Sequence, residues 1–110
     1  MGRLTTHVLD TSQGKPAGSV RIELFRAGAL VASGVTNRDG RTDQPLLEGD
    51  RLSAGTYELQ FHVGEYFRSQ GSPGKFLTVV PVRFTVEDAS AHYHVPLLCS
   101  PWSYTTYRGS

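Results

Sequence analysis

Apolar and polar residues alternate with a period of two along much of the chain. The clearest example is segment 56–63, in which every second residue is apolar: Tyr57, Leu59, Phe61 and Val63. This pattern is typical of a β-strand that packs one face on a core and exposes the other to water. Further candidate strands are segments 4–9, 19–26, 30–36, 82–87 and 93–99. The sequence therefore predicts at least six strands.

Turn-forming residues separate these segments at short intervals. Asp39-Gly40, a strong tight-turn pair, follows the third strand, and glycines at 14 and 28 separate the first three. Segment 64–71 breaks the alternation and predicts two helical turns that end at Gly71. Many short strands with regular turns favour an all-β sandwich or barrel, here with one short helix.

Length, charge and cysteine content narrow the classes of function. A chain of 110 residues fits one domain spanning residues 1–110. Its formal net charge of +1, without a block of like charge, argues against nucleic acid as a partner. The single cysteine, Cys99, lies in an apolar run, which predicts a buried free thiol. Because no segment has the apolar length of a signal peptide or a membrane span, we expect a cytoplasmic protein.

Three of the four histidines form a candidate site. His92 and His94 are two residues apart on a predicted strand, so both side chains point to the same face, and His7 lies on another strand. Three imidazoles could bind zinc, or could activate water and protonate a leaving group without a metal. They could also be partly buried histidines with a structural role only. The spacing alone leaves these three interpretations open.

Arg41 and the C-terminal segment add to the candidate chemistry. Arg41 follows the tight turn, and we expect it at the start of a strand, where a guanidinium could stabilise an oxyanion or an anionic substrate. Residues 100–110 are polar and aromatic, and the strand propensity of 104–107 predicts a last strand.

Three stretches of the chain together resemble one family. They are Leu4-Thr5-Thr6-His7-Val8-Leu9-Asp10, His92-Tyr93-His94-Val95-Pro96-Leu97-Leu98 with Ser100-Pro101, and the terminal Tyr107-Arg108-Gly109-Ser110. In this order they are similar to the signatures of the 5-hydroxyisourate hydrolases, the transthyretin-related proteins of purine degradation. The terminal tetrapeptide is the most specific of the three, because transthyretin itself lacks it and binds hormone instead.

The resemblance implies a fold, a reaction and an assembly. The fold would be a two-sheet, Greek-key-like transthyretin sandwich of about eight strands with one short helix. The reaction would be hydrolysis of 5-hydroxyisourate to 2-oxo-4-hydroxy-4-carboxy-5-ureidoimidazoline in urate degradation, without metal or cofactor. The assembly would be a homotetramer, a dimer of dimers with sites between subunits and neither nucleic acid nor membrane as a partner.

The resemblance also implies roles for individual residues. The residues matched to the catalytic signature are His7, Arg41, His94 and Ser110. The residues matched to substrate binding are His7, Arg41, Tyr107, Arg108 and Gly109, with His92 in a supporting role. We expect His7 and His94 to orient and deprotonate water, with Ser110 as a relay and Arg41 on the carbonyl that becomes negative. Which histidine is the base stays open, because relative pKa values depend on burial and neighbours.

Functions of other classes remain as alternatives. The first is a transthyretin-like carrier of a small molecule that has no catalytic activity, since a fold does not determine a function. The second is a zinc hydrolase that uses His7, His92 and His94 as ligands. The third is a purely structural or adhesive sandwich domain, which leaves the C-terminal tetrapeptide without a role.

Overall fold

Nine strands and two short helical segments form the protein in the computed structural model, which describes residues 1–110. The strands are β1 (Arg3–Asp10), β2 (Lys15–Pro16), β3 (Arg21–Arg26), β4 (Ala29–Val35), β5 (Leu47–Glu48), β6 (Gly55–Phe61), β7 (Val80–Val86), β8 (His92–Cys99) and β9 (Tyr104–Thr106). The α-helix α1 is Val63–Ser69, and a 3-10 turn covers Gly49–Arg51. Neither helical segment is long and apolar enough to cross a membrane. The predicted all-β sandwich with one short helix is confirmed.

The strands form two sheets. Sheet 1 has the order β2-β1-β8-β9, with β5 also paired to β1, and sheet 2 has the order β4-β3-β6-β7. The central pair of sheet 1, β1 and β8, is parallel along its whole length, whereas every other strand pair is antiparallel. The parallel register places Thr5 beside His94 and Arg3 beside His92. The N-terminal and C-terminal signatures of the sequence thus lie next to each other.

A single cluster of 22 buried apolar residues fills the space between the sheets. It includes the predicted inward face of β6, where Tyr57, Leu59 and Phe61 are almost completely buried. Burial of each such side chain stabilises the fold by about 1.5–3 kcal/mol. Leu4 and Leu97 bring β1 and β8 into the same core. Since strand side chains alternate, the other faces of β1 and β8 point outward and remain available for chemistry.

Helix α1 is short and is held by packing and by a buried hydrogen bond. Tyr66 and Phe67 enter the core, and the Tyr66 hydroxyl donates to Oδ2 of Asp10 at 2.8 Å. Burial alone would raise the pKa of Asp10, but hydrogen bonds from Ser12, Tyr66 and Gln13 hold it below its ordinary value. Asp10 therefore stays a carboxylate that joins the end of β1 to α1.

Cys99 is buried and free, as predicted. Its thiol lies near the Asp10 carboxylate, and burial together with that negative charge raises the pKa of Cys99 to about 12. A thiol with such a pKa is not a nucleophile at neutral pH. Cys99 is a packing residue.

Two features of the fold differ from the predictions. The two-residue strands β2 and β5 were not predicted, because a pair of residues has no period to detect. Arg41 was expected to begin a strand, and this prediction is wrong: it forms only an isolated antiparallel bridge with His7. The chain leaves the bridge at once, because the Thr42 hydroxyl donates to the carbonyl of Gln44 and closes a local turn.

Candidate active site

The outward face of the β1–β8 pair collects the imidazole side chains. His94 and Thr5 are half-buried on neighbouring strands, and His92 is exposed one pair further along. His7 follows Thr5 on the same face of β1. The sheet itself therefore brings the three predicted histidines to one surface, as the spacing of His92 and His94 indicates.

A threonine hydroxyl connects two of the imidazoles. Thr5 Oγ1 lies 2.8 Å from Nδ1 of His94 and 2.9 Å from Nε2 of His92, and the two ring centroids are 6.3 Å apart. These hydrogen bonds fix the orientation of both rings. They leave Nε2 of His94 as the ring nitrogen without a protein partner.

A tight turn delivers Arg41 to His7. The Gly40 amide donates to the Asn37 carbonyl at 2.9 Å, and the Val8 amide donates to the Gly40 carbonyl at 2.8 Å. Gly40 has φ +78°, and a Cβ at this position would lie 2.4 Å from the Val8 carbonyl oxygen. Only glycine fits both the left-handed backbone and this close approach. Arg41 then pairs with His7 across the bridge.

Burial and positive charge favour the neutral form of two histidines. The pKa of His94 is lowered, first by burial and then by the charges of Arg41, His7 and His92. The pKa of His7 is lowered by burial and by Arg41, although a hydrogen bond with the Asp39 backbone opposes the shift. Neutral imidazoles beside a permanent cation are suited to accept a proton near neutral pH.

The C-terminal segment folds back over the same face. Strand β9 pairs with β8, and beyond it the Gly109 amide donates to the His94 carbonyl at 2.7 Å. A Cβ on Gly109 would lie 2.6 Å from Cδ2 of His94, so the backbone passes directly over the imidazole ring. The glycine of the tetrapeptide is thus required by the approach of the tail to the ring.

These elements enclose an open cleft of about 520 Å³ on sheet 1. Of the predicted site residues, the cleft is lined by Arg41, His92, His94, Tyr107, Gly109 and Ser110. His7 is not in the lining, but its charge acts on His94 and it contacts the turn that carries Arg41. Thr5 and Arg3 are among the lining residues that the sequence did not indicate; the others are Thr6, Thr42, Asp43, Gln44 and Pro45. The place of Thr5 and Arg3 on the outward face of β1, two and four residues before His7, is a signal that could have found them.

Arg108, like His7, is a predicted site residue that does not line the cleft. Its guanidinium carbon lies 4.2 Å from the centroid of the Tyr93 ring, on the opposite side of β8 from His92 and His94. It lines a separate cavity that includes Tyr93, Val95 and Phe84. A cation over an aromatic face contributes about 0.5–2 kcal/mol, so within one chain Arg108 anchors the tail.

The arrangement fits acid–base chemistry better than metal binding. No three side chains of His, Cys, Asp or Glu form a group that could hold a metal ion, so His7, His92 and His94 do not make a zinc site. The Arg41 cation beside them would repel a dication and attract an anion. The fourth histidine, His62, lies between β6 and α1, where it bonds to Glu23 at 2.6 Å, and it is not part of the cleft.

A two-sheet sandwich with an imidazole–guanidinium cleft on one outer face defines the class: a transthyretin-type fold with a polar site. The chain belongs to the HIUase/Transthyretin family, whose model matches residues 4–109. The chain is 55% identical to 5-hydroxyisourate hydrolase 2 of Rhizobium meliloti, over 99% of this chain and 97% of that protein. It is 57% identical to 5-hydroxyisourate hydrolase of Deinococcus radiodurans, over 97% of this chain and 95% of that protein.

Solved structures agree with this assignment. The structure of (S)-allantoin synthase matches with a TM-score of 0.93 and 49% identity; the match covers 99% of this chain but only 44% of that longer one. Klebsiella pneumoniae 5-hydroxyisourate hydrolase matches with a TM-score of 0.88 and 37% identity over 100% of both chains. Sea bream transthyretin in complex with thyroxine matches with a TM-score of 0.87 and 34% identity, over 97% of this chain and 94% of that one.

The role of Arg41 in the titration of the site can be tested directly. Because the pKa values of His7 and His94 lie below 6.5, both rings stay neutral until the pH falls below that value. Replacement Arg41→Gln is expected to raise both pKa values, but not fully to 6.5, because burial is the larger cause and remains. Titration of the imidazole Cε1–H signals by NMR measures this. Unchanged values in the variant, with Arg38→Gln as the matched control, would contradict the described electrostatics.

Proposed function

We propose that this chain hydrolyses 5-hydroxyisourate to 2-oxo-4-hydroxy-4-carboxy-5-ureidoimidazoline, a step of urate degradation, as one functional domain of residues 1–110. The observation that carries the proposal is the meeting of His94, Arg41 and the C-terminal Gly109 and Ser110 at one cleft. The hydrolases of Rhizobium meliloti and Deinococcus radiodurans, similar over nearly the whole chain, support it.

The ring opening needs an activated water, a stabilised oxyanion and a protonated leaving nitrogen. In the mechanism that we infer, an imidazole takes a proton from water, and the hydroxide adds to a carbonyl carbon of the cyclic amide. The Arg41 guanidinium donates to the oxygen that becomes negative. The carbon–nitrogen bond then breaks, its electron pair goes to nitrogen, and nitrogen takes the proton back from the imidazolium. One water is added overall, and no metal or cofactor takes part.

The C-terminal residues contribute the wall of the cleft. Tyr107 and Ser110 line it with hydroxyl groups, which can hydrogen-bond a planar ring that carries carbonyls and ring nitrogens. A proton relay through the Ser110 hydroxyl remains part of the proposal. The substrate contact expected of Arg108 would have to be made outside the cleft of its own chain, because its side chain stacks on Tyr93.

The alternative of a non-catalytic carrier fits the cleft less well. A carrier of an apolar molecule needs an apolar pocket with a few polar groups. This cleft instead presents two arginines and two histidines against a single acidic residue, Asp43, and only one of its lining residues is hydrophobic. Basic and hydroxyl side chains are suited to a small, polar, anionic substrate.

We further propose that the protein assembles as a homotetramer, a dimer of dimers, with the site at a subunit interface. The cleft lies on the open face of a sheet, where water has free access. Enclosing such a site excludes bulk water and strengthens the electrostatic interactions between its groups and the substrate. Trp102, Tyr104 and Tyr107 are exposed near the end of the chain and offer apolar surface for such a contact. Sedimentation equilibrium is expected to give four times the chain mass of 12.0 kDa. A cytoplasmic location stays a prediction, which cell fractionation tests.

The identity of the product tests the reaction. The protein is mixed with freshly generated 5-hydroxyisourate in ¹⁸O-labelled water and a strong chelator, and the product is analysed by mass spectrometry. We expect the ring-opened acid with one ¹⁸O in its carboxylate, formed much faster than in the blank without protein. A product without added water would contradict hydrolysis, and loss of the rate with chelator would contradict a reaction that needs no metal.

A further inference from the structure

The hydroxyl of Thr5 occupies a position that constrains the protons of two histidines. It lies 2.8 Å from Nδ1 of His94 and 2.9 Å from Nε2 of His92. A hydroxyl has one proton, so it can donate to only one of the two rings. At least one ring nitrogen must therefore carry a proton and donate it to Thr5 Oγ1. The tautomers of His92 and His94 are coupled through this single oxygen.

The fold holds the hydroxyl in this place. Thr5 is paired with His94 in the parallel β1–β8 ladder, and Arg3 with His92 is the next pair on the same face. Threonine is β-branched and stiff about χ1, so in a central strand its Oγ1 has little freedom. The backbone of Gly109 packs against the His94 ring, so closely that a Cβ at this position would lie 2.6 Å from Cδ2. Ring and hydroxyl are both fixed before substrate arrives.

We propose that Thr5 is a positioning residue that keeps the proton of neutral His94 on Nδ1, so that Nε2 faces the cleft with a free lone pair. This inference rests on the proposed function and assigns the general base, which the sequence left open, to His94. The order of donors runs from His94 Nδ1–H to Thr5 Oγ1, and from the Thr5 hydroxyl to Nε2 of His92. His92 is thus the last acceptor in this series of two hydrogen bonds.

The opposite direction of the Thr5–His94 hydrogen bond would prevent His94 from acting as the base. If the Thr5 hydroxyl donated to Nδ1 of His94, the proton of His94 would lie on Nε2, and that atom could not accept a proton from water. His7 is a weaker candidate for the base, because it does not line the cleft. Burial and the neighbouring cations, which lower the pKa of His94, keep its ring neutral and ready to accept.

The hydrogen-bonded chain also serves the charged state. When His94 takes a proton from water on Nε2, the ring becomes an imidazolium whose Nδ1–H donates more strongly to Thr5 Oγ1. The Thr5 hydroxyl is polarised toward His92 in turn, which spreads the positive charge away from Arg41. When the leaving nitrogen takes the Nε2 proton back, the first arrangement is restored. No proton is gained or lost along the chain.

The test uses imidazole ¹⁵N shifts and kinetics of the whole protein. Long-range ¹H–¹⁵N NMR reads which ring nitrogen carries the proton, without substrate. In the wild type we expect His94 protonated on Nδ1. Thr5→Val, nearly the same shape without the hydroxyl, should give a mixture of tautomers and lower kcat about tenfold or more, with KM little changed. Thr5→Ser should restore both. Thr85→Val, which removes a strand hydroxyl from the exposed face of sheet 2, is the matched control.

Two results would overturn the proposal. The first is a wild-type His94 protonated on Nε2. The second is a folded Thr5→Val protein that keeps the wild-type tautomer and kcat. If Thr5→Val does not fold, the wild-type spectrum and the Thr5→Ser kinetics decide alone. Because the NMR measurement needs no substrate, failure of the proposed function would show separately, as a wild-type protein that leaves 5-hydroxyisourate unchanged.

Discussion

Replacement of His94 by Asn is expected to lower the turnover of 5-hydroxyisourate about a hundredfold or more, a barrier increase of about 2.7 kcal/mol. Asparagine keeps polar atoms near the ring position but cannot accept and return a proton. His7→Asn is expected to reduce turnover by a similar factor, because the His7 ring packs against Gly40 in the turn that delivers Arg41 to the cleft. Initial rates on freshly generated substrate measure both effects.

A histidine outside the site provides the control. His62 lies between β6 and α1, outside the cleft, and has both ring nitrogens bonded, to Arg21 at 3.1 Å and to Glu23 at 2.6 Å. His62→Asn should leave turnover close to the wild-type value, provided that circular dichroism shows the same fold. If His7→Asn and His94→Asn both hydrolyse the substrate at the wild-type rate, the assignment of the site is wrong.

Deletion of Arg108 to Ser110 is expected to abolish most of the activity while the sandwich stays folded. The deletion removes the Gly109 amide bond to the His94 carbonyl, the cover of the imidazole ring and the wall formed by Ser110. None of the three residues belongs to the core cluster, so the loss of stability should be small. Activity assays, with circular dichroism for the fold, measure the two effects separately.

Two further variants sharpen the truncation experiment. A tag fused after Ser110 should impair activity, whereas the same tag before the exposed Met1 should not. Gly109→Ala keeps the whole tail but forces a Cβ against the His94 ring, and a misplacement of about 1 Å can cost about a hundredfold in rate. Full activity in the truncated protein and in Gly109→Ala would mean that the tail does not form the site.

The sequence predicts the strands and the face of the site, but not how its parts meet. Alternation in segments 56–63 and 93–99 is sufficient to place Tyr57 in the core and His94 on the outer face. By contrast, the meeting of His7 with Arg41 depends on a turn whose Gly40 carbonyl accepts from the Val8 amide within β1, and no period in the sequence indicates such a long-range bridge.

The C-terminal segment 104–110 likewise has one feature that the sequence predicts and one that it does not. The strand at 104–106 follows from its composition, whereas the direction of Arg108 does not, because alternation ends where the ladder ends. Recognition of the tetrapeptide as a unit suggests that all four residues face the substrate. In the fold Gly109 and Ser110 do line the cleft, and Arg108 binds the Tyr93 ring behind it. Side-chain direction outside regular structure has to be read from the fold.

The rate of substrate decay measures the proposed catalysis of 5-hydroxyisourate hydrolysis most directly. Urate oxidase generates 5-hydroxyisourate in the cuvette, and its absorbance is followed with and without a concentration of this protein far below that of the substrate. We expect complete conversion over many turnovers, at a rate proportional to the protein concentration. Decay at the spontaneous rate, or a loss of substrate limited to the amount of protein present, would contradict catalysis by this protein.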